Sequence, residues 1–159
     1  MLKRLMVISI SLVMMSAAVR AQCASGSLVV VVNKANATDS LSMAQLRKLM
    51  LGDVRGWPDH KPVTLVTRDF SSKVFECALA AVVRQSVPDY RRYVMNAEFR
   101  GEEPIAIQTA DSAASAARIV ATYSGAIAIV ESSALNGIAT AVKVVKVNGK
   151  APGETGYPL

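Results

Sequence analysis

Five consecutive apolar residues, Leu28-Val29-Val30-Val31-Val32, constrain the fold of this chain more than any other feature. Four are β-branched and no polar residue alternates with them, so the segment 27–33 predicts a strand with both faces covered. Such a strand belongs in the middle of a parallel or mixed sheet, with other elements packed above and below it. A central position is therefore expected.

Around this strand the chain alternates helix and strand signals. Ser42 with Gln45 three residues on makes a capping box, and Gly52 supplies a left-handed exit, which bounds a helix over 43–51. The turn Gly56-Trp57-Pro58-Asp59 leads into a strand over 63–67, and Ser71 or Ser72 caps a following helix that runs to about Arg84. Ser86, Pro88 and Asp89 open an amphipathic helix with an arginine edge, which continues through Tyr90, Tyr93 and Val94 to Phe99 and closes at Gly101. Glu102-Glu103-Pro104 breaks the chain before the apolar piece Ile105-Ala106-Ile107, and Thr109 or Asp111 opens an alanine-rich helix ending at Ser124-Gly125. Strands are expected over 126–130 and 142–147, the second with Lys143 and Lys146 outward, followed from Asn148 by a loosely ordered glycine- and proline-containing tail. The class is α/β, a mixed central sheet flanked by helices.

At the amino end, Lys3 and Arg4 precede an apolar stretch over 5–18 and the small-residue site Val19-Arg20-Ala21, the pattern of an export signal spanning 1–21. Fourteen residues at about 1.5 Å each span ~21 Å, short of the ~30 Å hydrocarbon core, so a permanent membrane helix is not expected. Cleavage leaves one domain over 22–159, located in the periplasm, with no integral membrane segment. Removing Lys3, Arg4 and Arg20 lowers the net charge from +6 to +3, too little and too scattered for a nucleic-acid partner.

Export places Cys23 and Cys77 in an oxidising compartment. Val74, Phe75, Ala78, Leu79 and Val82 form one helical stripe, and Cys77 points away from its centre, toward Lys73 and Arg84. A Cys23–Cys77 bridge and two unpaired thiols are both open at this point.

Several runs resemble the phosphate-binding proteins of phosphate ABC transporters, which have a type II periplasmic-binding-protein fold. Asn33-Lys34-Ala35-Asn36 and Ser40-Leu41-Ser42 resemble the family's Asn-x-x-Asn and Ser-Leu-Ser or Ser-Leu-Thr; Leu51-Gly52 with Trp57 resembles its aromatic-Leu-Gly followed by Trp. Phe99-Arg100-Gly101 is similar to its Phe-x-Gly, and the run from Ser124 to Glu131 to its Pro-Gly-Ala-Ile-Gly-Tyr-Val-Glu. The resemblance implies a single lobe of that fold, equivalent to the second of two, without the glycine- and serine-rich phosphate contacts of the first. It also implies a site at the strand-to-helix turn, where the family has Arg then Ser-Gly-Thr. This chain reads Arg68-Asp69-Phe70-Ser71-Ser72-Lys73-Val74, keeping the arginine and one serine but not the glycine or threonine.

The residues themselves point to the same place. A helix amino end carries unpaired N–H groups and about half a positive charge, so the donors of Ser71, Ser72 and Lys73 with the Arg68 guanidinium form a candidate oxyanion site. The competing reading is a plain helix cap, with Arg68 paired to Asp69 or Glu76. Trp57 reads as the lid of a small satellite core, and His60 with Asp53 and Asp59 does not reproduce a metal-ligand spacing. No nucleophile motif surrounds the single histidine, and Cys77 has no Cys-x-x-Cys partner, so no enzyme is expected.

The expected function is weak, non-catalytic binding of phosphate or a similar oxyanion at Arg68, Ser71, Ser72 and Lys73, linked to phosphate ABC transport, with no metal or cofactor. The alternative is a protein interaction module of the cell envelope built on a substrate-binding scaffold, using the surface near Trp57 or the arginines Arg84, Arg91, Arg92 and Arg100. A homodimer that completes the half-cage is a third expectation.

Overall fold

The computed structural model describes residues 23, 24, 26–102 and 105–159. The expected export signal lies outside them. The strands are β1 (Leu28–Val32), β2 (Ser40–Leu41), β3 (Thr64–Arg68), β4 (Ile107–Ala110), β5 (Ala126–Glu131) and β6 (Lys143–Val147); the α-helices are α1 (Met43–Leu51), α2 (Lys73–Ala78), α3 (Val87–Phe99), α4 (Ala113–Thr122) and α5 (Leu135–Ile138). They form one six-stranded sheet in the order β2-β6-β1-β5-β3-β4. It is mixed: β1 runs antiparallel to β5 and β6, whereas β3 is parallel to β4 and β5, and β2 is parallel to β6.

β1 is interior, and its lack of alternation has a simple cause. Leu28, Val30 and Val32 point into a core shared with α1, α2 and α3, while Val29 and Val31 point into a second core under α4 and α5. A strand roofed on both sides by helices has no face to spare for polar residues. The first core is filled by large side chains, among them Leu46, Leu49, Met50, Phe75, Leu79 and Tyr90, each worth about 2 kcal/mol of burial. The second is built on Ala113, Ala116, Ala117 and Val120, small residues that let α4 lie close to the sheet.

Local signals set most helix ends. Ser42 and Gln45 close the expected capping box, at 3.1 and 2.8 Å, and Gly52 leaves α1 with φ 74°. A side chain at Gly52 would be strained by that φ and would displace Ile105, since a Cβ there would stand 2.3 Å from Ile105 Cγ1. Ser72, not Ser71, caps α2 through a 3.2 Å bond from Phe75 N–H to its hydroxyl.

Several expectations need correction. The helix expected to run to Arg84 changes pitch after Ala78 into a π-helical turn, Leu79–Val83, where Arg84 N–H donates to the Leu79 carbonyl at 2.7 Å with Arg84 at φ 60°. The cap of α4 is Ser112, one residue beyond Asp111 and three beyond Thr109, and β4 begins only at Ile107. Lys143 and Lys146 do not share a face: three residues apart on a strand, they lie on opposite sides. Lys146 is exposed, but Lys143 reaches across to the Asn36 carbonyl and to Asp39, the latter at 2.9 Å. The tail is not loose, since Tyr157 and Leu159 are buried in the first core and the Leu159 carbonyl accepts a bond from Gly26 N–H. Trp57 also belongs to that main core and not to a satellite; its Nε1 donates to the Gly125 carbonyl at 2.9 Å.

Cys23 and Cys77 form a disulfide with their α-carbons 5.4 Å apart. Cys77 is buried in the first core, covered where a surface position beside Lys73 and Arg84 was expected. No helix among the described residues is long and apolar enough to cross a membrane.

Candidate functional site

The parallel strands β3 and β5 lie side by side, with Leu65 opposite Ile127 and Val66 opposite Ala128, so their carboxyl ends emerge together. In open α/β sheets that edge is where ligands gather. Arg68 ends β3 there and Glu131 ends β5. The Arg68 Nη1 pairs with the Glu131 carboxylate, and its Nη2 donates to the Asp111 carbonyl, just beyond β4, at 2.9 Å. The guanidinium is mostly covered, with 13% of the side chain exposed. Three polar atoms here are buried without a partner: Arg68 Nε, Glu131 Oε2 and Thr67 Oγ1. Thr67 borders a cavity of about 10 Å³, lined also by Met50, Leu65, Phe75, Ala78 and Ile129, which has room for about one water.

Beyond Arg68 the chain folds on itself. Asp69 N–H continues the ladder to the Ala110 carbonyl at 3.2 Å, and its Oδ1 accepts from Ser71 N–H at 2.7 Å and from Ser71 Oγ at 2.5 Å. Ser72 N–H donates to the Asp69 carbonyl at 2.8 Å. The Ser71 hydroxyl, and next its N–H, hold the Asp69 carboxyl below the usual carboxylate range, with Arg91 adding a smaller electrostatic pull. Lys73 is half-exposed and pairs with Glu76 at 3.0 Å.

The four sequence-predicted residues thus lie along one short segment, but their polar groups face separate partners. Arg68 turns to Glu131 and Asp111, neither being the partner expected for a plain cap; Ser71 turns to Asp69; Ser72 caps α2; Lys73 turns to Glu76. What the turn does chemically is hold an oxygen anion: two Ser71 donors converge on one carboxylate oxygen, and the guanidinium of Arg68, three residues before Ser71, holds another carboxylate.

Sequence reasoning missed Glu131 as the partner of Arg68. The available signal was topological: two charged residues of opposite sign, each closing an apolar strand. It also missed Asn33, which is buried and donates through Nδ2 to the carbonyls of Val120 and Ala121 at 2.8 and 2.9 Å, satisfying the last turn of α4. Its Oδ1 accepts from Ala35 N–H at 2.8 Å, so this asparagine joins β1 to the helix roofing it.

No protein-family model and no curated protein matches the chain. Solved structures do. An ABC-type phosphate transport receptor from Vibrio cholerae aligns with TM-score 0.62 at 17% identity, over 81% of this chain and 50% of that one. PstS from Borrelia burgdorferi aligns with TM-score 0.63 at 10% identity, over 79% and 49%. A phosphate-binding protein from Stenotrophomonas maltophilia aligns with TM-score 0.59 at 19% identity, over 79% and 40%. The chain spans half or less of the length of each, and over that span it has the α/β fold of phosphate ABC transporter substrate-binding proteins.

Proposed function

We propose that this protein is an exported, non-catalytic solute-binding domain that recognises phosphate or a similar oxyanion weakly at the segment 68–73, in association with phosphate ABC transport. One observation carries the reading: the turn after β3 already receives a carboxylate oxygen, that of Asp69, on the N–H and hydroxyl of Ser71. A free oxyanion uses the same donors once Asp69 swings away, with Arg68 supplying directional charge, Ser72 a hydroxyl at its edge and Lys73 a solvated point charge. The fold shared with phosphate-binding proteins supports the choice of anion.

Affinity is set by competition. Asp69 must be displaced, Arg68 shares its charge with Glu131, and a single lobe leaves the anion in contact with water. Millimolar binding, about 4 kcal/mol, follows. Calorimetric titration of the purified protein with phosphate and with sulfate tests this, with Arg68→Ala as the control. Heat that saturates in the millimolar range and disappears in the variant supports the site; no heat at tens of millimolar removes it, and an unchanged response in the variant moves it elsewhere.

A second reading, an interaction module, rests on one feature: the helix α3 carries Phe99 with 85% of its surface exposed. Trp57, the other surface considered for that role, is buried.

A further inference from the structure

The helix α3 has two unlike sides. Tyr90 and Ala97 are buried, and the Tyr90 and Tyr93 hydroxyls donate to the Met50 and Leu51 carbonyls at 2.6 and 3.0 Å, which fixes that side to the end of α1. On the other side Pro88, Arg92, Met95 and Phe99 fall within about 60° of one another at 100° per residue. All four are exposed, Met95 by 60% and Phe99 by 85%.

This outer side holds both a hole and a knob. Toward the amino end lies a groove of about 390 Å³ lined by Val87, Pro88, Arg91, Arg92, Met95 and Asn96. Phe99 stands at the carboxyl end, the most exposed large apolar side chain among the described residues. Seven residues of helix, ~10 Å, separate Arg92 from Phe99, so within one molecule the ring cannot reach the Arg92 end of the groove. A second molecule can bring it there. A two-fold axis passing between Met95 and Asn96 reverses the partner helix, places each Phe99 over the other copy's Arg92, and closes the pairing so that it does not propagate into a fibre.

The chemistry of the groove suits an aromatic guest. Arginine over an aromatic ring already recurs on this helix, with Arg91 over Phe70 at 5.2 Å and Arg100 over Tyr93 at 5.9 Å. The charge on this face is partly balanced, since Arg92 pairs with Asp89 at 3.5 Å and Arg91, stacked on Phe70, lies within the electrostatic reach of Asp69. Two copies therefore approach with their repulsion reduced, and each brings an aromatic ring to the guanidinium groups of the other. We propose that the outer side of α3 is a self-association surface on which two copies pair antiparallel, each seating its Phe99 in the groove of the other.

A helix pair of this length covers less than the ~800 Å² per partner of a standard stable interface, so the dimer is weak and concentration-dependent. Sedimentation velocity of the purified protein from about 5 µM to about 1 mM tests it. The expected result is a reversible monomer–dimer equilibrium. Phe99→Ala and Arg92→Ala each weaken it at least tenfold, and Met95→Glu, which sets two carboxylates face to face near the axis, abolishes it. All three sites are exposed, so the thermal midpoints of the variants stay close to that of the unchanged protein, separating lost association from lost folding. A monomer throughout the range, or a dimer that survives Phe99→Ala, overturns the proposal. So does Phe99-dependent binding of the monomer to phosphatidylglycerol vesicles, which assigns the face to lipid.

Discussion

Arg68 and Glu131, at the ends of two adjacent parallel strands, form an ion pair whose guanidinium also grips the Asp111 carbonyl at 2.9 Å. The pair ties together the carboxyl ends of three neighbouring strands at the place where a ligand would sit. In the proposed function, stability and anion recognition would draw on the same guanidinium.

Removing one partner of that pair strands the other. Glu131→Ala is expected to destabilise the fold by about 2 kcal/mol, because a mostly covered guanidinium loses its counter-charge. The double change Arg68→Met with Glu131→Ala costs less than the single one. Urea denaturation of the three proteins measures the difference; equal losses in the single and double variants would show that the pair contributes little.

Asp69 is expected to compete with bound anion. Asp69→Ala frees both Ser71 donors and deletes a like charge beside the bound anion, so phosphate binding is expected to tighten severalfold. Calorimetry with phosphate reads this directly. Unchanged affinity would mean that the Ser71 donors are not part of the site.

The depressed carboxyls give the fold a defined acid limit. Ser71 lowers the Asp69 carboxyl, Ser112 and then Ser115 lower that of Asp111, and Arg100 lowers that of Glu102. A carboxyl whose folded pKa lies below its unfolded value adds stability that is present above the unfolded value, 3.8 for the two aspartates, and is lost as pH falls through the folded one. Stability should thus fall as pH drops below about 4, and less steeply in Asp69→Asn, as followed by circular dichroism.

The disulfide should matter more than any single core contact. Cys23 and Cys77 are 54 residues apart in sequence, and closing such a loop restricts the unfolded chain by about 4 kcal/mol. Reduction, or the pair Cys23→Ser with Cys77→Ala, is expected to lower unfolding stability by an amount of that order. An unchanged midpoint under reductant would remove the bridge from the account.

Gly125 has no room for a side chain: a Cβ there would lie 1.9 Å from the Pro62 carbonyl oxygen and 3.5 Å from the Trp57 ring. Gly125→Ala should therefore cost about 3 kcal/mol or more and shift tryptophan emission to the red, since Trp57 is the only tryptophan and its indole is anchored to that residue. Native-like emission at full stability would contradict the crowding.

What was legible in the sequence was what short spacings decide. The capping box at Ser42 and Gln45, the glycine exit at Gly52 and the unbroken valine run of β1 each encode their outcome within a few residues. The change of pitch at Leu79 was not legible, because the π-helical turn depends on how Leu79, Val82 and Val83 seat in a core made by distant strands. Nor was the ordered tail, whose Gly-Pro composition says loop while Tyr157 and Leu159 are buried by long-range packing. The site divides the same way. Arg68 and the Ser72 cap could be found from local pattern, whereas the Arg68–Glu131 pair joins residues 63 apart and emerges only when β5 lies against β3.

The bond from Gly26 N–H to the Leu159 carbonyl places the start of β1's approach and the last residue side by side. A few added glycines could bridge them, and the chain could be reopened at an exposed turn such as Asp59-His60. A circular permutant of that kind keeps every strand neighbour while changing which element is synthesised first, so its folding order can be rewired without redrawing the sheet.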